Sequence, residues 1–361
     1  MLNFLSSNVV LAKARTMYGR RLTDADYEEL LKCRNVGEVA GYLKGQTVYR
    51  KALAEIPESE AHRGELEIRL KQKVMDEYTS LCRYEMEVDH SFSRVLIERE
   101  EIRYLLRSVL SLNSGAPESS TFRFPPFLRR STCLKLGPLA RVRTLDDLKQ
   151  AVYRTPYQKL LDPFLSKGIP IDYTLLESAL DRDLYSRLLD TVREHFTGGT
   201  RKELLAILES YLDLSNYVRI VRMKVLYGAD AEATRKILMP SGSMRPATLE
   251  RMLHGSTEKE IRGIMESTSI GKIAVKKQVS YLDQIPLEMN FRFCRHDMDF
   301  SLHPVVVLIS YLVLALVEID NVITIIEGKR YQLAPEEIRK LLILSSSAAA
   351  DGFSAEEARK E

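Results

Sequence analysis

Three stretches of this chain repeat one another, and their spacing limits what it can fold into. Asn35 to Tyr49, Thr144 to Tyr157 and Thr257 to Ile270 each open on a small polar residue and run through an amphipathic stretch. Each reaches a threonine at the same relative place, Thr47, Thr155 and Thr268, with one extra residue in the first copy. A longer apolar helix follows each, over Glu98 to Leu112, Leu204 to Tyr227 and Val305 to Ile326. The copies lie roughly 105 to 115 residues apart, too long for a solenoid unit and about the size of a small domain. The pattern implies a triplicated helical body with units at 1–125, 126–243 and 244–344. The tail 345–361 holds too little apolar content to pack and is expected to be disordered.

Local signals make the fold all-α. Leucine, glutamate, lysine and arginine dominate, period-two alternation is scarce, and glycine falls mainly between segments. Thr23 with Asp26 forms a capping box that starts a helix at Asp24, with Leu22 and Tyr27 at the staple positions. Thr200, after Gly198 and Gly199, is read as the cap of a helix from Arg201 to Tyr227, with Glu203 reaching back and Gly228 closing it. Pro304 stands at the first position of the last long helix. Val305 to Val317 is apolar except for Ser310 but shorter than a membrane span, and Glu318, Asp320 and Asn321 follow at once, so a buried core helix is expected. Asn113 to Thr132, rich in Ser, Pro and Phe, reads as an irregular connection, and Ser241 to Ser243 as a junction.

Asn216 in the second copy aligns with Asn321 in the third, and Ile220 and Val221 align with Ile325 and Ile326. Leu105 and Leu106 fill that apolar place in the first copy. A one-residue slip then brings Arg235 to Leu238 over Arg339 to Leu342, so helix, turn and short terminal helix recur in order. An asparagine inside an apolar helix is expected to tie it to a neighbour's backbone or side chain, the alternative being that it lines a cavity.

Several kinds of chemistry are disfavoured. With 53 basic and 50 acidic residues the net charge is only +3, which gives no whole-chain reason to expect nucleic acid. Cys33, Cys82, Cys133 and Cys294 stand far apart and suggest neither a zinc ribbon nor a disulfide framework, and Met1 to Val10 carries no secretory pattern. No GxxxxGK[ST] loop occurs, and Gly271-Lys272 is followed by Ile273, so neither nucleotide hydrolysis nor any cofactor is expected. Cys294, His296, Asp297, Asp299 and His303 are the densest set of metal-ligand types, but their spacing fits no metal motif. They are expected instead to serve the start of the Pro304 helix, with Ser301 and His303 satisfying its free amides. His62, His90, His195 and His254 are isolated. Basic clusters offer candidate interfaces: Lys13, Arg15, Arg20 and Arg21; Arg129 and Arg130 with Lys135, Arg141 and Arg143; and Lys272, Lys276 and Lys277.

The run Glu327-Gly328-Lys329, then Leu333-Ala334-Pro335-Glu336-Glu337-Ile338-Arg339, preceded by Glu318 and Asn321, resembles the closing signature of the C subunit of V-type and A-type ATPases (ATP synthases), the family related to the eukaryotic V-type d subunit. The resemblance extends through Leu180-Asp181-Arg182, Asn216, Arg222 and Tyr227-Gly228 to the opening Ala14-Arg15, Met17, Gly19-Arg20 and Tyr27 to Leu31, nearly the whole chain. Thr324, where the family pattern commonly has Arg or Lys, and the insert 113–136 depart from it. The resemblance implies a non-catalytic funnel of three helical domains on the cytoplasmic face of a membrane rotor, peripheral to the membrane. Its implied partners are the central-stalk subunits and the proteolipid ring, and its implied work is mechanical coupling of ATP hydrolysis or synthesis to proton or sodium transport. A free helical scaffold binding some other partner is the alternative.

Overall fold

The computed structural model describes residues 2–83, 90–115, 124–275 and 281–345. The tail 346–361 and residues 116–123 of the expected irregular connection 113–132 therefore lie outside the described residues; of the remainder, Pro126–Ser131 is helical, a correction to that expectation. Within them every regular element is a helix, as the composition required.

Short capped helices alternate with long ones. The first run is α1 (Leu2–Tyr18), α2 (Asp24–Lys32), α3 (Val36–Gln46), α4 (Arg50–Leu53), α5 (Arg63–Cys82) and α6 (His90–Ser114). The second is α7 (Pro126–Ser131), α8 (Leu136–Leu139), α9 (Leu145–Val152), α10 (Tyr157–Leu165), α11 (Tyr173–His195) and α12 (Gly198–Val221). The third is α13 (Ala231–Lys236), α14 (Pro246–His254), α15 (Glu258–Glu266), α16 (Ser269–Ala274), α17 (Gln284–Phe300), α18 (Pro304–Arg330) and α19 (Pro335–Arg339).

The three similar stretches form α3, α9 and α15, and each start is capped in the same way. The side-chain oxygens of Asn35, Thr144 and Thr257 accept from the amides of Glu38, Asp147 and Glu260. The expected box at Thr23 is present, with the Asp26 carboxylate accepting from the Thr23 amide at 2.7 Å. The start of α12 differs from the expectation. Gly198 has φ +56°, so the chain turns there and the helix begins at Gly198, which leaves Thr200 inside the first turn. Its hydroxyl lies 3.1 Å from His303 Nδ1, and Glu203 accepts from the Ser301 hydroxyl at 2.6 Å, so both hold the connection between α17 and α18. At the far end α12 widens into a π-turn over Arg222–Leu226 and is closed by Gly228 at φ +63°, with the Ala229 amide donating to the Met223 carbonyl.

α18 begins at Pro304, as expected, and is long and apolar enough by composition to cross a membrane. Yet 78% of its most apolar 18-residue window is buried inside the protein. It packs on α17, on α1 and on α5, which precedes it by more than two hundred residues. The other long helices also look away from their own run: α6 packs on α11 and α12 on α17. The core therefore joins helices distant in sequence as well as consecutive ones such as α17 and α18, and most of its apolar side chains form a single cluster.

Candidate functional site

The residues of the sequence signature act chiefly on the protein itself. Asn216 is 1% exposed. Its amide group clamps one residue of the following segment from both sides: Oδ1 accepts from the Met239 amide at 2.8 Å and Nδ2 donates to the Met239 carbonyl at 3.2 Å. Asn321 repeats the geometry on Ile343, at 3.0 and 2.8 Å. The backbone tie expected for these asparagines is thus formed in both helices.

The equivalent position in α6, four residues before Leu105, is Glu101, which sequence reasoning passed over. It is fully buried and accepts from the Cys133 amide at 2.8 Å, the Thr132 hydroxyl at 2.6 Å and the Tyr157 hydroxyl at 2.7 Å. Burial, with the Glu101 carboxylate close by, pushes the Cys133 thiol up to about 12. A carboxylate also stands three residues before each clamp: Glu98, Asp213 and Glu318. Asp213 accepts from the Gly242 and Met244 amides and the Ser243 hydroxyl at 2.9 to 3.1 Å, so the expected Ser241–Ser243 junction is a turn wrapped around a buried carboxylate. Burial raises the Asp213 carboxyl to about 6 although those hydrogen bonds oppose the shift. The regular spacing of these acids was the available signal.

The remaining signature positions have steric or ionic roles. A side chain at Gly328 would begin 2.5 Å from Ile338, so glycine lets α19 lie against α18. Pro335 occupies the first turn of α19. Arg222, half-buried at the π-turn, pairs with Asp283 at the entrance to α17.

The opening basic residues separate sharply. Arg21 is 7% exposed and cannot belong to a surface patch, a correction to the interface expectation. Its guanidinium donates to Glu77 and the Tyr311 hydroxyl at 2.6 Å each, to Glu318 at 3.1 Å and to the Tyr49 hydroxyl at 3.2 Å. The Leu22 amide completes Glu318 at 2.9 Å. An isolated buried charge is too costly to keep, and two carboxylates and two phenols make this one tolerable. Because Glu318 and Tyr311 lie on α18, the cluster fastens the start of the chain to its last long helix. Arg15 donates to the Met298 and Ser301 carbonyls at 2.7 Å each, capping the end of α17. Lys13 reaches the Ser80 hydroxyl at 2.9 Å, and Arg20 is exposed. Arg129, Arg130, Lys135, Arg141 and Arg143 are all exposed; of the third cluster, Lys276 and Lys277 lie outside the described residues.

No grouping of His, Cys, Asp and Glu able to hold a metal occurs among the described residues. Cys294 is buried, His296 lies against Phe300 and beside Asp297, and the His303 ring turns to Thr200, closing over Gly199. Ser301 meets the expectation by accepting from the His303 amide at 3.1 Å; the His303 side chain caps nothing. Two other concavities stand out. A cleft of about 850 Å³ opens between α11, α12, α13 and α17, edged by Glu177, Arg219, Arg222, Tyr227 and Asp283. A cavity of about 80 Å³ lies where α6, α11, α12, α17 and α18 converge, walled by Leu184, Ile207 and Leu312, with Arg99 facing Tyr185 and Tyr211.

The described residues thus form a capped all-α body in which the clamp asparagines, the buried carboxylates and Arg21 hold its own helices together. Residues 10–341 match the family described as ATP synthase (C/AC39) subunit, and the chain belongs to that family. It is 23% identical over 349 residues to the A-type ATP synthase C subunit of Methanocaldococcus jannaschii, covering 92% of this chain and 85% of that one. The corresponding A-type ATP synthase C subunits of Pyrococcus abyssi, at 22% over 339 residues, and Desulfurococcus sp., at 23% over 284, cover 92% and 76% of this chain and 88% and 73% of their own lengths.

Proposed function

We propose that this chain is the non-catalytic adaptor of a V/A-type rotary ATPase, joining the central stalk to the membrane proteolipid ring so that ATP hydrolysis or synthesis is linked to proton or sodium transport. The observation that carries the reading is the family match over nearly the entire chain. Three related helical units enclose a funnel, and the stalk enters it. The chain lies on the cytoplasmic face of the membrane, peripheral to it, and the ATP-hydrolysing sites belong to other subunits.

The physical support is stiffness. A torque adaptor must deform little, and helices locked by buried clamps into a close-packed core meet that need. Each long helix lies against a helix from another run, α6 on α11, α12 on α17 and α18 on α5, so a load on one unit passes into the next through packed side chains. The Arg21 cluster closes the circuit between the first unit and α18.

Affinity purification of the tagged chain from its native membranes tests the reading. Stalk and proteolipid subunits are expected together in fixed ratio, with ATP-driven ion transport lost from complexes stripped of the chain and regained on adding it back. Recovery of the chain alone or with unrelated soluble proteins, and transport indifferent to its removal, would instead indicate a free scaffold.

A further inference from the structure

The short-helix unit from α7 to α10 carries a charge unlike its counterparts. Residues 126–171 hold nine basic and three acidic side chains, whereas residues 24–62 hold five basic and eight acidic, and residues 246–275 four of each. Two of the three acids are already engaged: Asp146 pairs with Lys149, and Asp147 accepts from the Arg143 and Thr144 amides at the start of α9. Arg129, Arg130, Lys135, Arg141, Arg143 and Arg154 are exposed and have no carboxylate within ion-pair distance among the described residues. Elsewhere several exposed arginines, Arg187, Arg193 and Arg235 among them, are paired within the chain.

Two of the free cations share an organised site. Tyr153 is 45% exposed; Lys135 Nζ lies 4.5 Å and Arg154 Cζ 5.3 Å from its ring centroid, so the two charges stand less than 10 Å apart on one aromatic platform. Arg154 holds a left-handed backbone, φ +61°, rare for a residue with a side chain, and the Gln158 side chain accepts its amide at 2.9 Å. The Lys135 amide, donating to the Ala151 carbonyl at 2.9 Å, fixes the other side.

We propose that this face, centred on Lys135, Tyr153 and Arg154, docks an acidic segment of a partner protein, with carboxylates about one helical turn apart meeting the two cations and a partner side chain covering the tyrosine. Neighbouring positions on a helical face lie roughly 5 to 6 Å apart, which fits the span available. A protein is favoured over a membrane surface because an interfacial element needs an exposed apolar face to bury, and here Phe127, Leu128, Leu139 and Leu165 are turned inward, leaving only Tyr153 and Ile169 as exposed large apolar side chains among residues 126–171. The inference stands on surface charge and local geometry and is independent of the coupling role.

The test uses the full chain, a labelled glutamate-rich helical peptide, a lysine-rich counterpart, and vesicles with and without phosphatidylglycerol. The wild-type chain should bind the acidic peptide in a salt-sensitive manner and the lysine-rich peptide not at all. Lys135→Glu with Arg154→Glu should weaken binding roughly tenfold or more, and Tyr153→Ala by a smaller factor. Arg251→Glu with Lys259→Glu, exposed cations of α14 and α15, should leave it unchanged. Matching thermal melts exclude misfolding as the cause. Equal loss in both double variants, binding unaffected by Lys135→Glu with Arg154→Glu, tighter association with anionic vesicles than with peptide, or salt-sensitive self-association through this face would each overturn the proposal.

Discussion

Replacing the two clamp asparagines with leucine should destabilise the protein unequally. Asn321→Leu removes two hydrogen bonds to Ile343 and leaves that residue's N–H and C=O without the partners they had. A net hydrogen bond contributes about 1 kcal/mol, and a stranded buried group costs about 1 to 3 kcal/mol. Ile343 is half-buried, so water can recover part of this, and the expected loss is about 2 kcal/mol. Asn216→Leu strands Met239, which is 5% exposed beside an asparagine 1% exposed, so less water can compensate. Its expected loss is about 3 to 4 kcal/mol. Urea unfolding of the purified chain, followed by circular dichroism, measures both, and hydrogen exchange at the Met239 and Ile343 amides localises the effect. In assembled complexes Asn321→Leu should retain stalk binding in proportion to the folded fraction. The reasoning fails if Asn321→Leu costs as much as Asn216→Leu, or if it unfolds nothing while abolishing docking.

Arg21→Met should be among the most harmful single substitutions, about 3 to 5 kcal/mol, because it leaves Glu77 and Glu318 facing each other without the intervening cation; limited proteolysis should then cut first near the α1–α2 connection. Gly328→Ala should cost about 1 to 3 kcal/mol by driving α19 from α18, and Ile338→Val in the same chain should restore part of it, as a thermal melt of the pair would reveal. Asp213 makes a pH prediction. Its folded carboxyl titrates near 6 against about 4 when unfolded, so the folded state binds the extra proton between those values and stability falls as pH rises through that window. The fall attributable to this group is at most about 3 kcal/mol. Asp213→Asn should flatten that part of the stability profile; an unchanged slope would exclude Asp213 as its source.

The local features were legible in the sequence because they depend on neighbours a few residues away. Caps at Thr23, Asn35, Thr144 and Thr257, proline at the start of α18 and glycine at the end of the α12 π-turn follow from backbone hydrogen bonding and φ preferences that no distant contact need supply. The apolar stripe of α18 marked a core helix for the same reason: its composition leaves no polar face to solvate. Even the asparagine clamps were readable in kind, since an amide inside an apolar helix must find a partner. Family membership was legible as well, through the order of the motifs from Ala14 to Arg339.

Only the tertiary structure could separate Arg21 from Arg20. In the chain they are adjacent members of one basic cluster, yet Arg20 meets water while Arg21 meets Glu77, Tyr311 and Glu318 from segments up to 297 residues away. Whether a charge is solvated or enclosed depends on which distant groups folding brings within about 3 Å, and nothing in the local pattern encodes that distance. The same limit hid Glu101, whose place near the start of the apolar helix gives no sign of burial until Thr132, Cys133 and Tyr157 close over it. Sequence thus determined that the chain is helical and where several helices start, though not the start of α12 or the presence of α7. Three-dimensional packing decided which helices meet, and with that which charges hold the body together and which remain outside for a partner.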